Sequence, residues 1–304
     1  ELKTTIDLPE APAEARMLLG QIYLRLGRKV ELKKLYDQTL KQFPESTFWY
    51  SRAAAFAMNE GDVSRAEELY KQALQKTRKD DENGAAAIDG YLQVLIAAGK
   101  PDKVFEEGGK YVDGDFAPVV LVRMAEAKLK LGDKESAVQY ERKALEKMLA
   151  ARNRGFDSDI LQRLSAMFGA DDVTKNCKEL LEANPKSISA NFAMFNLMKV
   201  NGEYNKSLSY IDKCLELAGA DGNNTVDYSA QKAMALQSAY FKTSDNNYLK
   251  RAITEYESLL AKMPNNASVL NNLAYILAEN DEKLADAMEY AKQILRQGWE
   301  LTRE

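Results

Sequence analysis

The amino-acid sequence predicts an all-α chain, a solenoid of about eight helix-turn-helix repeats. Three observations carry this. Residues 13–44 hold a skeleton of Leu19-Gly20-x2-Tyr23, Gly27, Leu32-x3-Tyr36 and Pro44 that returns, eroded to different degrees, down to the last residues. The turn glycines Gly27 and Gly61 stand 34 residues apart, one full period. Glycine (16) and proline (7) are few and mark turns, and no convincing strand pattern occurs. A solenoid also suits the length. A globular chain of 304 residues with 45% hydrophobic content would usually split into two domains, whereas each repeat of a solenoid packs only on its neighbours.

Taken in order, residues 1–12 read as a linker or the end of a preceding repeat. Residues 13–221 read as six repeats, and 222–304 as two more with enlarged turns and a C-terminal tail. The first repeat, 13–46, turns at Gly27. The second, 47–80, turns at Gly61-Asp62, and its Ala53, Ala54 and Ala57 give the first helix a small face for its partner. The third, 85–117, turns at Gly99-Lys100-Pro101, where proline fits a helix start. Gly108 and Gly109 lower helix propensity by about 1 kcal/mol each, which predicts a short or bent second helix. The fourth, 118–151, turns at Gly132-Asp133, with Ala137 and Ala144 on its second helix and Lys128 in the place of the usual aromatic. The fifth, 154–187, is degenerate and turns at Phe168-Gly169. The sixth, 188–221, turns at Gly202 and keeps small-large-small spacing at Ser207, Ile211 and Cys214. The seventh, 227–264, has an enlarged turn, and the eighth runs from 267 to about residue 296, with Trp299 in the tail. No polar capping helix follows, so the native protein is expected to continue beyond Glu304.

Composition narrows the chemistry. With 42 basic and 46 acidic residues the net charge is −4, so no basic surplus points to nucleic acid or anionic lipid. Mixed runs such as ERKALEK read as solvated helix faces. No apolar run reaches about 18 residues, so no membrane span is expected. The chain opens on Glu1, so the lack of a visible signal peptide leaves the compartment open, cytoplasmic or bacterial periplasmic or envelope. The absence of histidine removes every Ser-His or Cys-His catalytic arrangement and every His-ligated metal site. Cys177 and Cys214 read as buried small residues at helix-packing positions. The acidic clusters Asp80-Asp81-Glu82 and Asp171-Asp172 lack the order of a calcium loop, and the second reads as capping and charging a helix N-terminus. Neither an enzyme nor a cofactor is expected.

The skeleton resembles that of the tetratricopeptide-repeat (TPR) superfamily, whose period is 34 residues, with Arg16 where the pattern prefers tryptophan. The resemblance is strong in 13–80, 118–147 and 188–218. The final LNNLAYILAE segment is similar to bacterial TPR scaffolds, some of which serve envelope or exopolysaccharide assembly. The resemblance implies a right-handed α-α superhelix with a concave groove lined by the first helices. Candidate groove residues are then Gln21 and Arg25; Asn59; Gln93; Glu126 and Lys130; Gln162; Phe192, Asn196 and Lys199; Met234; and Asn271 and Tyr275. Some TPR domains clamp a chaperone's C-terminal carboxylate with cations and amides from consecutive repeats. Here Asn196, Lys199, Lys242 and Asn271 are spread across irregular loops, which counts against that chemistry. The tyrosines at repeat spacing (Tyr23, Tyr36, Tyr70, Tyr140, Tyr256 and Tyr290) read as inter-repeat packing. Tyr275 is different, because the register turns it toward the groove beside Asn271.

The expected function is a non-enzymatic scaffold that binds a peptide or protein partner in the groove. Amides would hold the partner's backbone, and Met17, Met58, Phe192 and Met234 would offer apolar pockets. The alternative is a structural spacer or self-associating array within a larger bacterial envelope or exopolysaccharide-assembly protein.

Overall fold

A computed structural model describes residues 12–77, 83–150, 157–220, 225–280 and 283–301. The expected linker over 1–11 and the cluster Asp80-Asp81-Glu82 lie outside them. The described residues form sixteen α-helices and no strand, and the chain divides into two compact units, Glu1–Ala151 and Arg152–Glu304.

The first unit holds four helical hairpins. These are α1 (Ala13–Arg25) with α2 (Lys29–Gln42), α3 (Thr47–Asn59) with α4 (Val63–Lys76), α5 (Gly84–Ala97) with α6 (Pro101–Gly108), and α7 (Ala117–Lys130) with α8 (Lys134–Ala150). Each second helix packs on the next first helix, and the first helices α3, α5 and α7 pack in series. Ala54, Ala66, Ala73, Ala137 and Ala144 are buried at these crossings, where a small side chain lets two backbones approach. Ile88, Leu92, Leu95 and Leu145 fill the spaces between, each burial contributing about 1.5–3 kcal/mol.

The hairpins turn where the glycine spacing puts them. Gly27, Gly61, Gly99 and Gly132 all have positive φ. At Gly61 (φ +80°) a Cβ would cost about 1–2 kcal/mol, and Asp62, the next residue, caps α4 by accepting the Arg65 amide at 3.1 Å. The Gly108-Gly109 pair acts as expected. α6 has eight residues and passes into a 3-10 turn at Gly109–Tyr111. Lys128 replaces the usual aromatic by lying 5.1 Å from the Phe105 ring centroid and pairing with Asp133 at 3.0 Å. One charged run departs from a solvated face: Glu141 of ERKALEK is buried. Arg16, standing where tryptophan is preferred, is buried too.

The second unit holds α9 (Asp157–Phe168) with α10 (Ala170–Ala183), α11 (Ile188–Val200) with α12 (Tyr204–Ala220), α13 (Val226–Thr243) with α14 (Asn246–Lys262), and α15 (Ala267–Glu279) with α16 (Leu284–Leu301). Gly169 and Gly202 repeat the positive-φ turn, and Ser244 takes that conformation in the enlarged turn between α13 and α14. Asp171 and Asp172 charge the first turn of α10, but neither caps it, because Gly169 stands at the cap without a side-chain bond. Cys177 and Cys214 are buried and neither forms a disulfide. Ser207, also buried, donates to the Phe195 carbonyl at 2.9 Å. α16 continues through Leu301, so Trp299 belongs to a helix rather than a tail. Among the repeat-spaced tyrosines, Tyr23, Tyr70 and Tyr256 are buried, while Tyr36, Tyr140 and Tyr290 are half-buried. The rings of Tyr36 and Tyr140 pack at 5.7 Å on Phe56 and at 5.8 Å on Phe105.

Candidate functional site

In the first unit the first helices carry Gln21, Arg25, Asn59, Gln93 and Lys130 as exposed side chains. Glu126 is engaged: it accepts from Arg123 at 2.7 Å. The Arg123 guanidinium also makes a two-pronged bond to Asp89, 2.8 Å from Nε and 3.0 Å from Nη2. Burial works against its charge, but the carboxylates of Asp89 and Glu126 outweigh that and raise its pKa. This buried cross-link between the third and fourth repeats takes Asp89 and Glu126 out of free groove chemistry. Arg123 was not among the sequence candidates. The signal was present as opposite charges one period apart, since Asp89 and Arg123 differ by 34 positions. Tyr70 lies close by, and burial first, then the Asp89 charge, push its hydroxyl up to about 12.

In the second unit the candidates divide. Gln162 is exposed on α9. Phe192 and Asn196 are not groove residues, because α11 is buried on every side from Ala190 to Met198. Phe192 instead packs on Phe195 and edge-on against Tyr228, with ring centroids 5.5 and 5.8 Å apart. Lys199, half-buried at the end of the same helix, sits 4.8 Å from the Phe195 ring centroid, and burial pushes its pKa down.

The remaining candidates come together on α13 and α15. Met234 and Tyr275 are 46% and 50% exposed, and Asn271 is exposed one turn before Tyr275. Phe241, two turns beyond Met234 on the same face of α13, is 45% exposed and meets Tyr275 edge-on at 5.7 Å. Phe241 was not among the sequence candidates, although it stands seven residues after Met234, the spacing that returns to one helix face. Next to this pair the Tyr240 hydroxyl donates to Asn280 Oδ1, tying the C-terminal ends of α13 and α15 together. The result is an open strip holding a thioether, two aromatic rings and an amide. It has the chemistry to grip an apolar side chain and a peptide backbone. Among the described residues no group of acidic or cysteine side chains is placed to hold a metal ion, and no helix is long and apolar enough to cross a membrane.

Comparison with known proteins agrees with the repeat architecture. The tetratricopeptide-repeat family model matches residues 33–83 and 245–301. Within these two stretches the chain carries tetratricopeptide repeats. No curated protein matches it. Similar solved structures include the C-terminal part of a TPR repeat-containing protein from Cytophaga hutchinsonii, with 14% identity, 84% of this chain and 98% of that one covered, and a TM-score of 0.36. A tetratricopeptide repeat protein from Parabacteroides merdae is 18% identical over 83% of this chain and 93% of that one, with a TM-score of 0.36. YrrB, described as a TPR protein with an unusual peptide-binding site, is 16% identical over 60% of this chain and 91% of that one, with a TM-score of 0.32. The family is one of protein-interaction scaffolds that are generally non-enzymatic, and it points to a protein partner.

Proposed function

We propose that the chain binds a peptide or protein partner on the first-helix face of its last two repeats. The supporting observation is the half-exposed Phe241–Tyr275 pair, with Met234 and Asn271 on the same helices. Large aromatic side chains this exposed and held against one another are good interface anchors, since little conformational entropy is lost when a partner covers them. The test is capture of a partner from host lysate, followed by affinity measurement with Phe241→Ala plus Tyr275→Ala. The double variant keeps its helical signal, because both rings are half-exposed, and binds about tenfold or more weakly. Unchanged affinity would remove this strip from the binding surface.

A second reading, self-association, has its own observation. Leu284, Met288 and Leu295 recur along one face of α16 and are 47–64% exposed. Light scattering separates the readings. Concentration-dependent oligomers that disappear with Met288→Glu support an array, and a monomer at all concentrations supports a receptor.

A further inference from the structure

We propose that the cleft between α2 and α3 is a second docking site, which takes one apolar side chain from an acidic peptide segment of a partner. It lies in the first unit, and no residue of α1 lines it. It therefore stands or falls independently of the strip on α13 and α15.

The cleft measures about 250 Å3, below the roughly 300–1,000 Å3 of small-molecule sites and suited to one side chain. Val30, Tyr36 and Phe56 line it together with the buried Ala53 and Ala57. Its origin is legible in the repeat register. Eight residues before the turn glycine the first six repeats carry Leu19, Ala53, Tyr91, Met124, Leu161 and Met194. All are buried, and only Ala53 is small. Four residues before the glycine stand Tyr23, Ala57, Leu95, Lys128, Ser165 and Met198, so the second repeat is small at this position also. The cleft occupies space that larger side chains fill elsewhere in the array. Val30 at its mouth is 66% exposed.

The rim decides the occupant. Lys29, Lys33 and Arg65 face Glu60 and Asp62. Glu60 is paired with Lys29 at 2.9 Å, Asp62 accepts the Arg65 amide, and Arg65 is paired with Asp37. Lys33 has no carboxylate partner among the described residues. From Arg28 to Gln42 there are five basic residues (28, 29, 33, 34, 41) and two acidic (31, 37), a local charge of +3 in a chain of net −4. An apolar anchor flanked by carboxylates matches an apolar lining with Lys33 left without a carboxylate partner at its rim.

The test uses the whole chain with methyl-labelled alanine and valine. It is titrated with three capped tripeptides having tryptophan at the centre and glutamate, glutamine or lysine on both sides. The acidic peptide shifts the Val30, Ala53 and Ala57 methyl signals, the neutral one binds several-fold more weakly, and the basic one more weakly still. Ala53→Leu, which restores the residue type of the other repeats, abolishes the response. Lys33→Gln, an exposed change that spares the fold, weakens the acidic peptide about threefold and leaves the neutral one unchanged. No methyl shift with any peptide, an equal response to all three, or undiminished binding by a folded Ala53→Leu variant would each overturn the proposal and leave a solvent-filled cleft.

Discussion

Gly90 lies under the Tyr70 ring: a Cβ there would come within 2.2 Å of it. Gly90→Ala therefore lowers stability by about 1–3 kcal/mol through overpacking, read as a shifted urea midpoint with the slope unchanged. The neighbouring Arg123 cross-link gives a sharper test. Asp89→Ala strands part of a buried guanidinium and costs about 2–3 kcal/mol, whereas Asp89→Leu with Arg123→Met costs less because no charge is left without its partner. Asp133 supplies a pH dependence. Hydrogen bonds from the Ser136 side chain, the Ser136 amide and Lys128 hold its carboxyl at about 2, below its ordinary 3.8. Its folded pKa is depressed, so its contribution is present above the unfolded value and is lost as pH falls from about 4 through 2. Asp133→Asn should flatten that acid limb in a series of melting temperatures against pH. A limb unchanged by the substitution would assign the loss to other carboxylates.

At the scale of elements, the two adjacent glycines ending α6 should behave differently. A Cβ on Gly109 meets nothing within 4 Å, and its backbone is already helical. Gly109→Ala should therefore stabilise the chain by about 0.4–1 kcal/mol through the unfolded state. A Cβ on Gly108 would sit 3.0 Å from Val120 and 3.1 Å from Met124, so Gly108→Ala gains little or destabilises. Equal midpoints for the two variants would contradict this. The same element shows how much local sequence conveys. The turn glycine and Pro101 marked where α6 starts, and the glycine pair marked where it fails. What lies against Gly108 depends on α7 and is invisible in any local pattern. The candidate groove divided along the same line. Gln21, Asn59 and Gln93 are exposed as their register implies, but Phe192 and Asn196 are not, because every side of α11 between Ala190 and Met198 is covered.

Across the whole molecule, stability in a repeat array is built from repeats and their contacts, so it varies along the chain. Native-state hydrogen exchange should show the greatest protection in α7 and α11, whose first-helix positions are almost wholly buried. α1 should be among the least protected, since Leu18 and Leu24 are 48% and 65% exposed on it. Uniform protection from α1 to α7 would mean that the first unit opens as one block instead of fraying from its end.

The sequence by itself determined the helical hairpins, their turns and the small residues at their crossings. Each of these rests on local rules: a glycine at positive φ, an alanine where two helices touch, a period near 34. Tertiary structure alone decided which first-helix side chains remain open. It buried Phe192 and joined Phe241 to Tyr275. Exposure at those positions depends on which neighbouring repeat covers them, and that is set by side chains a full period or more away in the chain.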